Sequence, residues 1–254
     1  NMSLLEHVTG LKVGKTISYY YYPLTKNPSH NSFIGTSNGK ENATLKKLLS
    51  NETDLNFLTL VASEYFFAID ILKKFSQRTS ILEVCKFAKD DKIKSNLKSK
   101  EIEELFLDEL LDGLNDLRSL NNSFEGGTSL TYLINASIKG VDYYIKKLID
   151  EIRLILKKNE LKASRTKILL MWTLDSFEMK GEKTEKLSEL ENKLKDYIGD
   201  VESVQQPLDN FHSDKTTIVV TCSNHDHNYM IKNNKDSEII IIKANPLCEL
   251  VSQK

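Results

Sequence analysis

The chain is poor in cysteine, nearly free of net charge, without a long apolar run, and without glycine between Gly39 and Gly113. Each absence excludes something. Cys85, Cys222 and Cys248 are odd in number and widely spaced, which excludes a dense disulfide framework and points to reduced thiols in an intracellular compartment. The sequons at Asn42, Asn51, Asn121 and Asn135 are then accidents of an Asn-rich chain. A formal charge of -1 argues against general nucleic-acid binding, because neutralising many phosphates takes a basic excess. Any anionic partner must therefore be met by a local patch. The longest apolar runs, such as Ile239 to Ile242, are far too short to span a bilayer, and the N-terminus has no basic region followed by an apolar stretch. No membrane or secretory role is expected. What remains, 254 residues that are 40% hydrophobic and 28% charged, is the composition of a globular domain with one sizeable core.

Along the chain, Ser3 to Val8 reads as a short helix stopped at Gly10, and Thr16 to Tyr22 as a strand ended by Pro23. Thr25 to Asn42 reads as a polar loop and Thr44 to Leu49 as a short helix. Leu55 to Ala62 reads as a buried strand, followed by a helix from Ser63 to Phe75 with Ser63 placed to cap it. A strand is predicted at Thr79 to Phe87, one long helix at Glu101 to Leu120, a strand at Ser129 to Ala136 after Gly126-Gly127, and a helix at Val141 to Leu161. The strand Lys167 to Thr173, a loop, the charged amphipathic helix Gly181 to Val204 and the strand Asp214 to Val220 follow, with a last strand-like run at Glu238 to Lys243. Strands alternating with helices predict an α/β sheet covered on both faces.

In their order, these elements resemble a kinesin motor core. Gly14-Lys-Thr-Ile-Ser-Tyr looks like the strand leaving a kinesin neck, Ser80-Ile-Leu-Glu-Val like the Ser-Phe-Leu-Glu-Ile strand, and Gly181-Glu-Lys-Thr-Glu-Lys-Leu like the Gly-Glu-Arg-Leu helix. The family's nucleotide elements are degenerate. Thr173 and Ser176 replace an Asp and a Gly of the γ-phosphate loop, and only Glu178 matches. Val61-Ala-Ser-Glu-Tyr-Phe holds neither Gly nor Lys where phosphate should bind, and a carboxylate at Glu64 would repel it. Phe124-Glu-Gly-Gly-Thr-Ser lacks the Arg and His of the switch. The chain is thus identified as a member of the non-catalytic motor homology domains, of the kind that partners the budding-yeast karyogamy kinesin. That resemblance implies a kinesin-motor-like central mixed sheet with helices on both faces, residues 1–10 as the end of a coiled-coil neck, and residues 11–254 as a motor homology domain without a nucleotide site. It also implies no ATPase activity and no cofactor. The implied partners are microtubules and a catalytic minus-end-directed kinesin, joined through an N-terminal coiled coil, at the spindle, the spindle pole body and in karyogamy. Too little chain lies between Val204 and Asp214 for the family's usual loop and short helix.

On this reading Lys183, Lys186, Lys193 and Lys195 are the microtubule-binding residues, above a buried stripe of Leu187, Leu190, Leu194 and Ile198. The bland alternative is a solvated face, since Glu182 to Lys186, Glu189 to Lys193 and Glu191 to Lys195 are i,i+4 pairs. Lys157, Lys158, Lys162, Arg165 and Lys167 form a second basic cluster, which a helix C-terminus explains without a partner. Gly10 to Thr16 has one residue too few for a phosphate loop and reads as a turn. Two other functions compete: a metal-dependent hydrolase using Cys222, His225 and His227, with His212 the one further ligand nearby, and a scaffold subunit of another intracellular complex.

Overall fold

The computed structural model describes residues 2–13, 15–21, 32–49, 55–88, 90–123, 129–174, 181–205, 215–233 and 239–251. They form two compact units, Asn1–Lys73 and Lys74–Lys254.

In the first unit, α1 (Met2–Thr9) stops at Gly10, whose φ of 68° is the left-handed conformation glycine supplies without a Cβ penalty. The strands β1 (Ser32–Thr36) and β2 (Leu55–Thr59) pair in parallel, with α2 (Ala43–Leu48) between them. Asn42 caps α2, its side-chain oxygen accepting from the backbone N–H groups of Thr44 and Leu45 at 3.0 Å. The β1 strand arises inside the segment read as a polar loop, because Ile34 is fully buried and the Phe33 ring packs at a tilt against Phe66, centroids 5.8 Å apart. By contrast, the strand expected at Thr16 to Tyr22 is reduced among its described residues to isolated bridges, Val13 to Ile17 and Tyr21 to Gly35. β-branched and aromatic residues make a strand only where a neighbour pairs with them.

The helix α3 (Leu60–Cys85) starts directly after β2 and takes in all but the last two residues of the predicted strand at Thr79 to Phe87. Helical spacing overrides local propensity there: Phe75, Arg78, Leu82 and Cys85 are all buried. The second unit continues with α4 (Asp91–Asn96), α5 (Lys100–Glu103), α6 (Leu107–Leu111), α7 (Leu114–Ser123) and α8 (Ser129–Lys158). Leu105, Phe106, Leu107, Leu110, Leu111, Leu114 and Leu117 are all buried, so this stretch is not one amphipathic helix but three short pieces, with Gly113 at φ 83° before α7. The strand expected at Ser129 to Ala136 is the first turns of α8, whose buried positions Ile134, Ser137, Val141, Tyr144, Ile145, Leu148 and Ile152 follow the helical repeat. α3 and α8 are tied by Thr79 Oγ1 donating to Ser137 Oγ at 2.7 Å and Lys147 Nζ to the Cys85 carbonyl at 2.9 Å.

The remaining elements are β3 (Thr166–Met171), α9 (Gly181–Lys195), β4 (Val201–Val204), β5 (Thr216–Thr221), α10 (Asn224–Asn233), β6 (Ile239–Lys243) and β7 (Leu250–Val251). The charged helix therefore ends at Lys195, and Val201 to Val204, assigned to it from the sequence, pairs with β3 as a strand. The sheet runs β4-β3-β5-β6-β7, with β7 antiparallel and the others parallel. Leu169, Met171, Val219 and Ile241 face Met230 of α10, while Ile168, Leu170, Ile218, Val220 and Ile242 on the other face are equally buried. A sheet covered on both faces explains why β3, β5 and β6 are continuous apolar runs rather than alternating ones. Three strands on which the kinesin resemblance leaned, near Thr16, Ser80 and Ser129, are thus irregular or helical where described.

Candidate functional site

The connection from β3 through α9 leads to β4 on one side of the sheet, and the chain then returns past β3 to β5 on the other. Connections that diverge in this way leave a crevice at the carboxyl ends of the two central strands, where open α/β sheets bind ligands. Here that position lies beyond Met171 of β3 and Thr221 of β5.

Among the described residues, α6 docks there. The backbone N–H of Leu107 donates to the Ala244 carbonyl at 2.8 Å and that of Asp108 to the Cys222 carbonyl at 3.0 Å, so α6 satisfies carbonyls just past β6 and β5. The Asp108 carboxylate receives two donors on one oxygen, Trp172 Nε1 at 2.8 Å and Lys183 Nζ at 2.7 Å. The side chains of Lys183 and Asp108 are only 9% and 12% exposed. Trp172 is fully buried and its backbone N–H donates to the Val204 carbonyl. Beside this pair, Asp226 is completely buried and accepts from Thr173 Oγ1 at 2.6 Å, Thr173 N at 3.1 Å and Ser223 Oγ at 2.6 Å. The Asp226 N–H donates back to Ser223 Oγ at 3.1 Å, so Ser223 caps α10, and Asp226 lies in its first turn, where the helix dipole favours a carboxylate.

The chemistry of these groups is quiet. Burial, and then Lys243, pushes the His227 imidazole down to about 4, so it is neutral at neutral pH; its Nδ1 faces Thr221 Oγ1 at 3.3 Å and its ring lies on Phe106. Burial, with Asp226 and Asp108, raises the Cys222 thiol well above its usual range, which disfavours the thiolate that attacks or binds metal. Ser223 Oγ is bonded to Asp226 and not to His227.

Leu187, Leu190, Leu194 and Ile198 are buried as expected. Of the four lysines above them, Lys183 lies in the crevice, and Lys186, 15% exposed, donates to Glu189 at 2.9 Å and Asp142 at 3.2 Å. Burial works to lower the Lys186 pKa, but these two carboxylates raise it beyond its usual value. Lys193 and Lys195 are 39% and 45% exposed and pair at 2.5 Å with Glu189 and Glu191. Cys222, His225 and His227 do not converge: Cys222 and His227 are buried, whereas His225, two residues away on α10, is exposed. No cluster of three or more metal-ligating side chains occurs among the described residues, and His212 lies outside them. In the second basic cluster Lys157 and Lys158 close α8, and Lys167 pairs with Glu202 at 2.7 Å. Ser176 and Glu178 lie outside the described residues, as does the Gly126-Gly127 break.

Sequence reasoning passed over Asp108, Ser223 and Asp226. Asp108 carried a signal, since an acid within the apolar run Leu105 to Leu111 needs a buried partner. Ser223-x-x-Asp226 ahead of a helix is likewise a capping pattern.

No family model and no curated protein matches the chain. Among solved structures it is similar to a UDP-D-ManNAc dehydrogenase from Pyrococcus horikoshii, with a TM-score of 0.54 and 12% identity over 95% of this chain. The chain spans 65% of that protein's length. Together with the strand order, this likeness defines the class as a Rossmann-type α/β fold. It overturns the kinesin resemblance, whose expected strands near Thr16, Ser80 and Ser129 are irregular or helical where described.

Proposed function

We propose that this chain is a non-catalytic binding domain, a Rossmann-type sheet serving as a rigid scaffold whose ligand crevice is closed by its own α6. The observation that carries the reading is the docking of Leu107 and Asp108 on the carbonyls after β6 and β5, with Asp108 locked to Trp172 and Lys183. A dinucleotide would also need glycines in the turn after β3 to bring backbone close to its pyrophosphate. From Trp172 to Gly181 the only glycine is Gly181 itself. Protein contact has a candidate surface in the first unit, where Val61, Tyr65, Phe66 and Ile69 of α3 expose an apolar stripe.

Calorimetric titration of the whole chain with NAD, ATP and a UDP-sugar tests the reading. No saturable heat is expected, and saturable binding of any of the three overturns it. The microtubule is the first partner to examine, through Lys193 and Lys195, the two most exposed of the four α9 lysines. Cosedimentation that is equal with ATP, with ADP and without nucleotide, and that weakens in a Lys193→Ala/Lys195→Ala variant, would supply that partner. Absence of pelleting would direct the search to partners of the α3 stripe.

A further inference from the structure

We infer that Lys183 and Trp172 form an oxyanion site that the chain fills with its own Asp108, so that α6 is an internal ligand closing the crevice. The inference rests on the reading of a closed crevice given above and says what closes it. Two donors from the β3–α9 segment converge on a single oxygen, Asp108 Oδ1, at 2.7 and 2.8 Å. One of them is a desolvated cation, the Lys183 side chain being more than nine-tenths buried. The acceptor comes from a segment 64 and 75 residues distant in sequence, not from a neighbouring turn. A buried ammonium and an indole N–H aimed at one point recognise a carboxylate or phosphoryl oxygen, and charge-assisted bonds of this kind are the strong ones. The point lies between the carboxyl ends of β3 and β5, where this sheet topology places ligands. An oxyanion entering the crevice must therefore displace Asp108, and it opens the site only to the extent that it binds the undocked state more tightly.

The test uses the full chain carrying Asp108→Ala, titrated with sodium formate and with sodium phosphate at constant ionic strength, chloride being the control. Trp172 is the chain's only tryptophan, so its fluorescence reports on the site directly. With the anion at ten times its half-saturating concentration, the variant's Tm is expected to rise by about 3–6 °C, with a saturable change in Trp172 emission. Wild type should show neither change, and adding Lys183→Met to the variant should abolish both. If Asp108→Ala is unfolded in chloride, formate or phosphate should restore cooperative folding. A folded variant with no anion-specific response, an unfolded one that neither anion rescues, or an equal response from wild type or the double variant overturns the inference. A failed rescue leaves the closed-crevice reading standing, whereas nucleotide binding by wild type removes it.

Discussion

Lys183 is the residue on which the site depends most. Removing one partner of a buried ion pair strands the other charge, so Lys183→Met should cost about 3–5 kcal/mol in urea unfolding, and Lys183→Met/Asp108→Leu should recover much of that loss. A loss below about 1 kcal/mol in the single variant would mean that the pair is solvated, as surface pairs are. Glu160 is the converse case. It sits at φ 54° just after α8, with the Leu161 N–H bonded to the Leu156 carbonyl and its own N–H to that of Lys157, a helix end that favours glycine. Glu160→Gly should therefore raise stability by about 1 kcal/mol, read as a higher urea midpoint at unchanged slope. His227 titrates with a definite sign. Its folded pKa of about 4 lies below the unfolded value near 6.5, so its contribution is complete above pH 6.5 and is lost as pH falls towards 4. Replacing it with Gln should flatten the fall in Tm over that window. A fall as steep as that of wild type would place the titration elsewhere.

At the scale of elements, α3 and α8 show how helical spacing wins over residue preference. Thr79 to Phe87 and Ser129 to Ala136 hold β-branched and aromatic residues, yet the buried faces of both segments repeat at helical intervals and pack on each other through Thr79 and Ser137. Gly140 lies on that contact, and a Cβ there would meet Leu82 Cδ1 at an ordinary 3.8 Å. Gly140→Ala should therefore stabilise the protein by up to about 1 kcal/mol through helix propensity, measurable by thermal melting. Gly35 behaves oppositely, because a Cβ on β1 would lie 2.1 Å from Ser63 Oγ. Loss of stability in Gly140→Ala would show that the α3–α8 contact is tighter than these distances describe.

For the whole molecule, the arrangement β4-β3-β5-β6-β7 is of the kind in which open α/β sheets bind ligands beyond the central strands, and α6 docks at that position. Among the described residues, the polar atoms there are partnered: Asp226 by Thr173 and Ser223, Asp108 by Trp172 and Lys183, and the carbonyls of Cys222 and Ala244 by α6. Burying that many polar groups is tolerable only because each has a partner. The same accounting predicts that ligands of open Rossmann-type folds find no free donors among the described residues there in wild type.

The sequence by itself determined the elements whose burial is one-dimensional: the apolar runs of β3, β5 and β6, the short helix α2, and the Leu187, Leu190 and Leu194 stripe of α9. These are set by periodicity and local hydrogen bonding, which a chain displays without its partners. Only the tertiary structure decided that Ser80 and Ser129 lie in helices, that Val201 to Val204 is a strand, and that Lys183 faces Asp108 instead of solvent. Each depends on a neighbour remote in the chain, here α8 for α3, β3 for β4, and α6 for α9, and the free energy of pairing with that neighbour exceeds the local preference.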